Sequence, residues 1–174
     1  MQKVYIISGP AGVGKSTTAT ALAKKLTHSA YISGDYVSHM HINGRKKPWE
    51  SKEEVSLIWD NILSLTANFI QYGNDVVIDF VTFPSEANWL KNKLKDISAE
   101  VRYVVLWTDA DTLIKRDNSR IEENRMGERC LILMQEFKES SLASPHQFDT
   151  SDKTSENMDA IIAEIILNEK YRMD

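Results

Sequence analysis

Eight residues near the start of the chain constrain its fold more than any other segment. Gly9-Pro10-Ala11-Gly12-Val13-Gly14-Lys15-Ser16 fits the pattern G-x-x-x-x-G-K-[ST] at every fixed position. Before it, residues 3–8 form a short run of β-formers; after it, residues 17–26 carry Ala19, Leu22, Ala23 and Leu26 at helical spacing. Glycine allows the backbone bends and close approaches that a Cβ blocks. Successive N–H groups at the start of the helix then make an anion cradle, reinforced by the helix dipole. Lys15 adds a compact positive charge for terminal phosphates, the Ser16 hydroxyl suits a Mg²⁺ ion, and Thr17 is a polar neighbour of the nucleotide. A glycine-rich turn matching by chance is the alternative, and the strand before and helix after it weigh against that.

The remainder alternates short apolar runs with helical stripes. Residues 30–33, 75–80, 101–107 and, weakly, 147–150 read as strands. Ser51 to Glu54 is a capping box, followed by Val55, Ile58, Trp59, Ile62, Leu65 and Phe69 on one face and stopped by Gly73. Pro84 opens a helix with Trp89, Leu90 and Leu94; residues 111–139 are helical with a break near Gly127; a last helix carries Met158, Ile161, Ile162, Ile165 and Ile166. Strands alternating with helices imply βαβ units and a parallel sheet covered on both faces, an α/β three-layer sandwich. The 174 residues fit one domain spanning 1–174. A net charge of -4 argues against a general affinity for nucleic acid. The single cysteine, Cys130, cannot pair internally, and no apolar run suits a membrane span or a leader, so the expected setting is cytoplasmic.

In an open parallel sheet, ligands bind at the carboxyl ends of the strands. Asp35, after the second strand, and Asp79, ending the third, lie there with the phosphate loop. Asp35 suits the carboxylate that takes the proton of an attacking hydroxyl, with helix capping as its alternative role. Asp79 ends an apolar run as a magnesium-holding or acceptor-binding aspartate does, with a structural strand-end role as its alternative. Arg116 and Arg120 share one helix face, as do Arg125 and Arg129, and arginines closing over the site neutralise charge on a transferring phosphoryl. The alternative is a solvated face laced with Asp117, Glu122, Glu123 and Glu128. Arg45, in the loop from Gly44 to Trp49, suits an anionic or polyhydroxy acceptor, or is plain surface. His39 and His41 lack companion ligands, Cys130 reads as core, the tryptophans read mostly as core, and Asp149 to Ser151 could touch the base or form a turn.

Together, the loop, Gly34-Asp35, Asp79 and the Arg116/Arg120 segment resemble the small P-loop kinases, among them the shikimate, gluconate, adenylate and chloramphenicol-modifying groups. Arg45-Lys46-Lys47-Pro48-Trp49 after Gly34-Asp35 is similar to the gluconate kinases, whereas the Val-Ile-Asp79 ending looks more like polynucleotide-kinase-type domains. The resemblance implies a five-stranded parallel sheet in order 2-3-1-4-5 and a small helical lid, here about 115–129. It also implies Mg·ATP as donor, a small hydroxyl acceptor with a sugar acid such as gluconate as the leading candidate, and acceptor contacts from the second-strand region. Asp35, Arg45, Asp79 and Arg125 are the candidate acceptor contacts in this chain. A nucleotide-dependent switch, or a kinase of nucleic-acid 5′-hydroxyl ends, are the other functional readings.

Overall fold

Strand β1 (Gln2–Ser8) carries Val4, Tyr5, Ile6 and Ile7, none of them exposed, because it runs through the middle of a sheet covered on both faces. In this computed structural model, which describes all 174 residues apart from the side chain of Asn124, β1 is joined by β2 (Ser29–Ser33), β3 (Asp75–Asp79), β4 (Ala99–Trp107) and β5 (Gln147–Asp149). All pairings are parallel and the order is β2-β3-β1-β4-β5, as the resemblance implies. Ile7 and Ser33 both stand opposite Asp79. The carboxyl ends of the three strands are therefore level, which brings Gly9, Gly34 and Asp79 to one edge.

Side chains alternate across the strands and build two cores. On one face Val4, Ile6, Val76 and Ile78 pack with α3 (Lys52–Gln71) and α4 (Pro84–Lys93) through Ile58, Trp59, Ile62 and Leu90. On the other, Tyr5, Ile7, Val77 and Val104 pack with α1 (Lys15–Lys25) and α7 (Met158–Leu167) through Ala19, Leu22, Ile161 and Ile165. Ser51 caps α3, its Oγ accepting from Glu54 N–H at 3.3 Å. The capping box is only half made, because the Glu54 carboxylate turns away to His41 Nδ1 at 3.0 Å and the Lys46 N–H at 3.4 Å. The buried stripe of α3 ends Ile62, Thr66, Ile70, one residue off the expected Leu65 and Phe69, which leaves Phe69 38% exposed. Four-residue steps keep Ile70 over the sheet.

The charged stretch after β4 is two helices, α5 (Ala110–Asn118) and α6 (Glu128–Glu139), with Gly127 at φ +54° before α6. For one helix, α2 (Gly34–Met40), the sequence pattern set no range and offered only Asp35 as a possible cap. The cap is Ser33, whose Oγ accepts from Tyr36 N–H at 3.3 Å, and Asp35 lies inside the first turn. Gly34 looks like a breaker but is required sterically. A Cβ there would lie 2.3 Å from Cγ and Cδ2 of Phe80. Gly34→Ala is expected to destabilise the fold by about 1–3 kcal/mol in urea unfolding, with Phe80→Leu in the same chain recovering part of the loss. Among the described residues, no helix is long and apolar enough to cross a membrane.

Candidate active site

The loop between β1 and α1 takes its shape from glycine. Gly9, Gly12 and Gly14 have φ of +135°, +84° and +107°, and a Cβ on Gly9 would lie 2.4 Å from the Leu106 carbonyl oxygen of β4. The first turn of α1 has neither a side-chain cap nor an acidic residue, so its amides and dipole face the crevice as an anion site. Lys15 Nζ donates to the Pro10 carbonyl at 3.0 Å, across the loop. Burial lowers the Lys15 pKa; Asp79 and Asp35 oppose that, and Arg120 adds to it. Ser16 and Thr17 are exposed beside it.

The two aspartates differ. Asp35 sits in the first turn of α2, and with Ser33 already capping, its carboxylate makes no hydrogen bond among the described residues. It lines the cleft beside Lys15, and its pKa is raised, chiefly by desolvation and further by Asp79, against the pull of Lys15. Asp79 is buried at 5% exposure, and its Oδ2 accepts from the Tyr31 hydroxyl at 2.7 Å. Burial first, and this bond second, push the Tyr31 phenol up. Tyr31 was not readable as a site residue; only the pairing of β2 with β3 brings it there.

Two clefts flank the loop. The first, about 220 Å³, is reached by Gly12, Lys15, Ser16, Asp35, Arg120 and Arg129, and is walled by Pro48, Trp49, Val55, Phe80, Phe83 and Leu133. The second, about 170 Å³, lies on the other side against Val13, Gly14, Thr17, Arg116, Thr150 and Thr154. Pro10 and Gly9 shape the turn, Ala11 faces the first cleft and Val13 the second.

The arginines divide between these places. Arg116 is held by the Val13 carbonyl at 3.3 Å, Thr150 Oγ1 at 3.2 Å, the Thr150 carbonyl at 2.7 Å and the Lys153 carbonyl at 3.0 Å. It ties the phosphate loop to the turn after β5, at the edge of the second cleft. Arg120 faces the first cleft and its Nη1 reaches Asp117 Oδ1 at 3.4 Å. Arg125 donates to the Arg120 carbonyl at 3.0 Å and Arg45 to the Ser38 carbonyl and Oγ at 3.1 and 3.0 Å; neither lines either cleft. Asp117, readable only as one of several interleaved acids, organises the segment. Buried at 3% exposure, it accepts from the Met126 and Gly127 amides at 3.1 and 2.9 Å. Burial raises its pKa but these amides, Cys130 and Arg120 lower it further, so the net shift is down. Trp49, unlike the buried Trp59, is 52% exposed and lies between the Lys47 and Arg129 cations, each 5.6 Å from its ring.

This loop, sheet and helix arrangement defines a P-loop NTPase-like fold. The chain belongs to the AAA domain family, whose pattern matches residues 4–137. No curated protein matches it. Among solved structures, a sugar kinase from Janibacter sp. is 12% identical with a TM-score of 0.73, covering 95% of each chain. A gluconokinase from Sinorhizobium meliloti is 17% identical with a TM-score of 0.64, covering 94% of this chain and 87% of that one. The APS kinase of Mycobacterium tuberculosis, in complex with AMPPNP and APS, is 18% identical with a TM-score of 0.64, covering 95% of each. At these identities the likeness is one of fold.

Proposed function

We propose that the protein is an ATP-dependent small-molecule kinase that transfers the γ-phosphoryl of Mg·ATP to an acceptor hydroxyl. One observation carries this reading: two clefts meet at a single phosphate loop, and only one of them contains a carboxylate with no hydrogen bond of its own, Asp35. A switch that only hydrolyses nucleotide has no need of the cleft that holds Asp35. The sugar kinase, gluconokinase and APS kinase neighbours support the same reading.

In this mechanism the base and ribose occupy the cleft beside Arg116, Thr150 and Thr154. The phosphates cross the amides of residues 9–17, and Lys15 leaves the Pro10 carbonyl for the terminal phosphates. Asp35 orients the acceptor hydroxyl and takes its proton as the new P–O bond forms. Arg120 stabilises the charge on the transferring group, and Arg116 positions the loop. No cluster of three or more His, Cys, Asp or Glu among the described residues could hold a metal unaided. The residues fit a divalent ion that Ser16 and, through the oxygen not bonded to Tyr31, Asp79 would help to hold. Such an ion would supply positive charge to neutralise the phosphates. Residues 115–129 act as a lid on a single 1–174 domain, with Arg125 and Arg45 as outer groups near the acceptor entrance.

The test is ADP release from Mg·ATP with sugar acids, polyols, nucleosides, amino alcohols and 5′-hydroxyl oligonucleotides, with the product identified as a phosphomonoester. Stimulation by one small-molecule class is expected. Hydrolysis indifferent to every compound supports the switch, and stimulation by oligonucleotides alone supports the nucleic-acid kinase.

A further inference from the structure

The last turn of α5 fastens to both sides of the phosphate loop through neighbouring residues. Successive positions on a helix do not share a face, and here Arg116 reaches the nucleotide side while Asp117 reaches the acceptor side. The Asp117 side chain packs on Gly12: a Cβ added to that glycine would lie 3.4 Å from Asp117 Cβ. Its buried carboxylate accepts from the Met126 amide at 3.1 Å on each oxygen and from the Gly127 amide at 2.9 Å. Oδ1 also accepts from Arg120 Nη1 at 3.4 Å, the only ion pair of Arg120 among the described residues.

A turn capped for stability alone would need the amides and nothing more. Arg120 makes the difference. It lies beyond the end of α5, where the helix ladder no longer holds it. Its amide bonds back to the Asp117 carbonyl at 3.1 Å, and its guanidinium to the Asp117 carboxylate. One guanidinium N–H is used in this way; the others make no hydrogen bond among the described residues, and Arg120 lines the acceptor cleft. The amides taken by Asp117 lead directly into α6, which has no side-chain cap of its own and brings Arg129 and Leu133 to the same cleft. The dipole of α6 favours a carboxylate at that helix start. The amides offset the cost of burying the charge, so Asp117 stays ionised at neutral pH.

Resting on the kinase reading, we propose that Asp117 is a positioning residue for phosphoryl transfer. From its seat on Gly12 it sets Arg120 toward the transferring phosphoryl and the start of α6 along the acceptor cleft. Charge stabilisation and the acceptor wall are thereby held in register with the phosphate loop.

The experiment follows ADP release by the full chain at saturating Mg·ATP with a mixture of sugar acids, polyols, nucleosides and amino alcohols, beside Mg·AMPPNP binding by calorimetry. Asp117→Asn keeps an oxygen for the amides but removes the charge that meets Arg120. It is expected to lower turnover about tenfold, with Mg·AMPPNP affinity within about twofold. Arg120→Ala should lower turnover about 10²-fold. Adding Asp117→Asn to it should change the rate by less than about twofold, because the carboxylate acts through that arginine. Gly127→Ala approaches the same contact from its other side. Gly127 holds φ +54° and ψ -131°, which alanine rarely adopts, and a Cβ there meets nothing within 4 Å. That variant therefore folds with its amide drawn away from Asp117. Its turnover should fall about threefold or more, and the fall should be absent in the Arg120→Ala background. A purely structural cap would shift the unfolding midpoint and leave turnover per folded chain in place. Wild-type turnover in folded Asp117→Asn, or losses that multiply in the double variant, overturns the proposal while the kinase reading stands. Should Asp117→Asn not fold, wild-type turnover in Gly127→Ala overturns it equally. A wild-type chain that binds Mg·AMPPNP but releases no more ADP with the mixture than without it counts against the kinase reading and takes the proposal with it.

Discussion

Lys15→Met is expected to slow phosphoryl transfer about 10³-fold while the chain still folds. The side chain lies among groups whose effects on its charge oppose one another: burial disfavours the ammonium, and Asp79 and Asp35 favour it. Its bond to the Pro10 carbonyl closes the loop on itself, and a triphosphate offers the same ammonium stronger, charged acceptors. Methionine keeps much of the length and apolar stem but offers no charge for the γ-phosphate. The stability effect runs the other way. Because the folded-state pKa of Lys15 is lowered, folding favours its neutral form, so the protonated lysine carries a cost at neutral pH. The variant should therefore unfold at an equal or higher temperature near neutrality. That advantage should fade at alkaline pH, where the amine is neutral in both states. A coupled ADP-release assay beside a thermal melt at two pH values reads both effects; undiminished turnover in the folded variant would remove the phosphate loop from the chemistry.

The phosphate loop, the sheet and most helices were legible because each is encoded by neighbours in sequence. The loop pattern directly follows a run of β-formers and precedes an apolar stripe, and Ser51 marks the start of α3 in the letters themselves. Helix α2 was not legible, because its first residue is a glycine whose justification is the Phe80 ring, 46 positions away. Glu54 read as the return half of a capping box, but the spacing could not reveal that His41 and Lys46 compete for it. Asp117 looked like one acid in a solvated run; its importance comes from the chain folding back so that two amides meet it. Its position after β4 offered Arg116 as an arginine closing over the transferring phosphoryl. That its guanidinium bonds to three carbonyls and a hydroxyl depends on the turn after β5, which the letters around Arg116 do not contain.

Asp35→Asn is expected to reduce transfer about 10²–10⁴-fold, with ATP affinity nearly unchanged. The substitution is clean because Ser33, not Asp35, caps α2, so the helix start is left in place. Asparagine matches the carboxylate in size but is a poor proton acceptor, so the loss should fall on kcat. The pH profile gives a second readout. Desolvation, with Asp79 adding to it and Lys15 opposing it, raises the Asp35 pKa. The acid limb of the wild-type rate should accordingly lie at higher pH than an unperturbed aspartate would give, and it should vanish from the residual activity of the variant. Stability again moves against activity. A carboxyl whose pKa is raised on folding costs the folded state when ionised, a cost present above the folded pKa and lost as pH falls below the unfolded one. Asparagine removes that cost, so the variant should melt at an equal or higher temperature near neutral pH and converge with the wild type in acid. A folded variant that transfers phosphate at the wild-type rate would leave Asp35 without a catalytic role, since Ser33 already serves the helix.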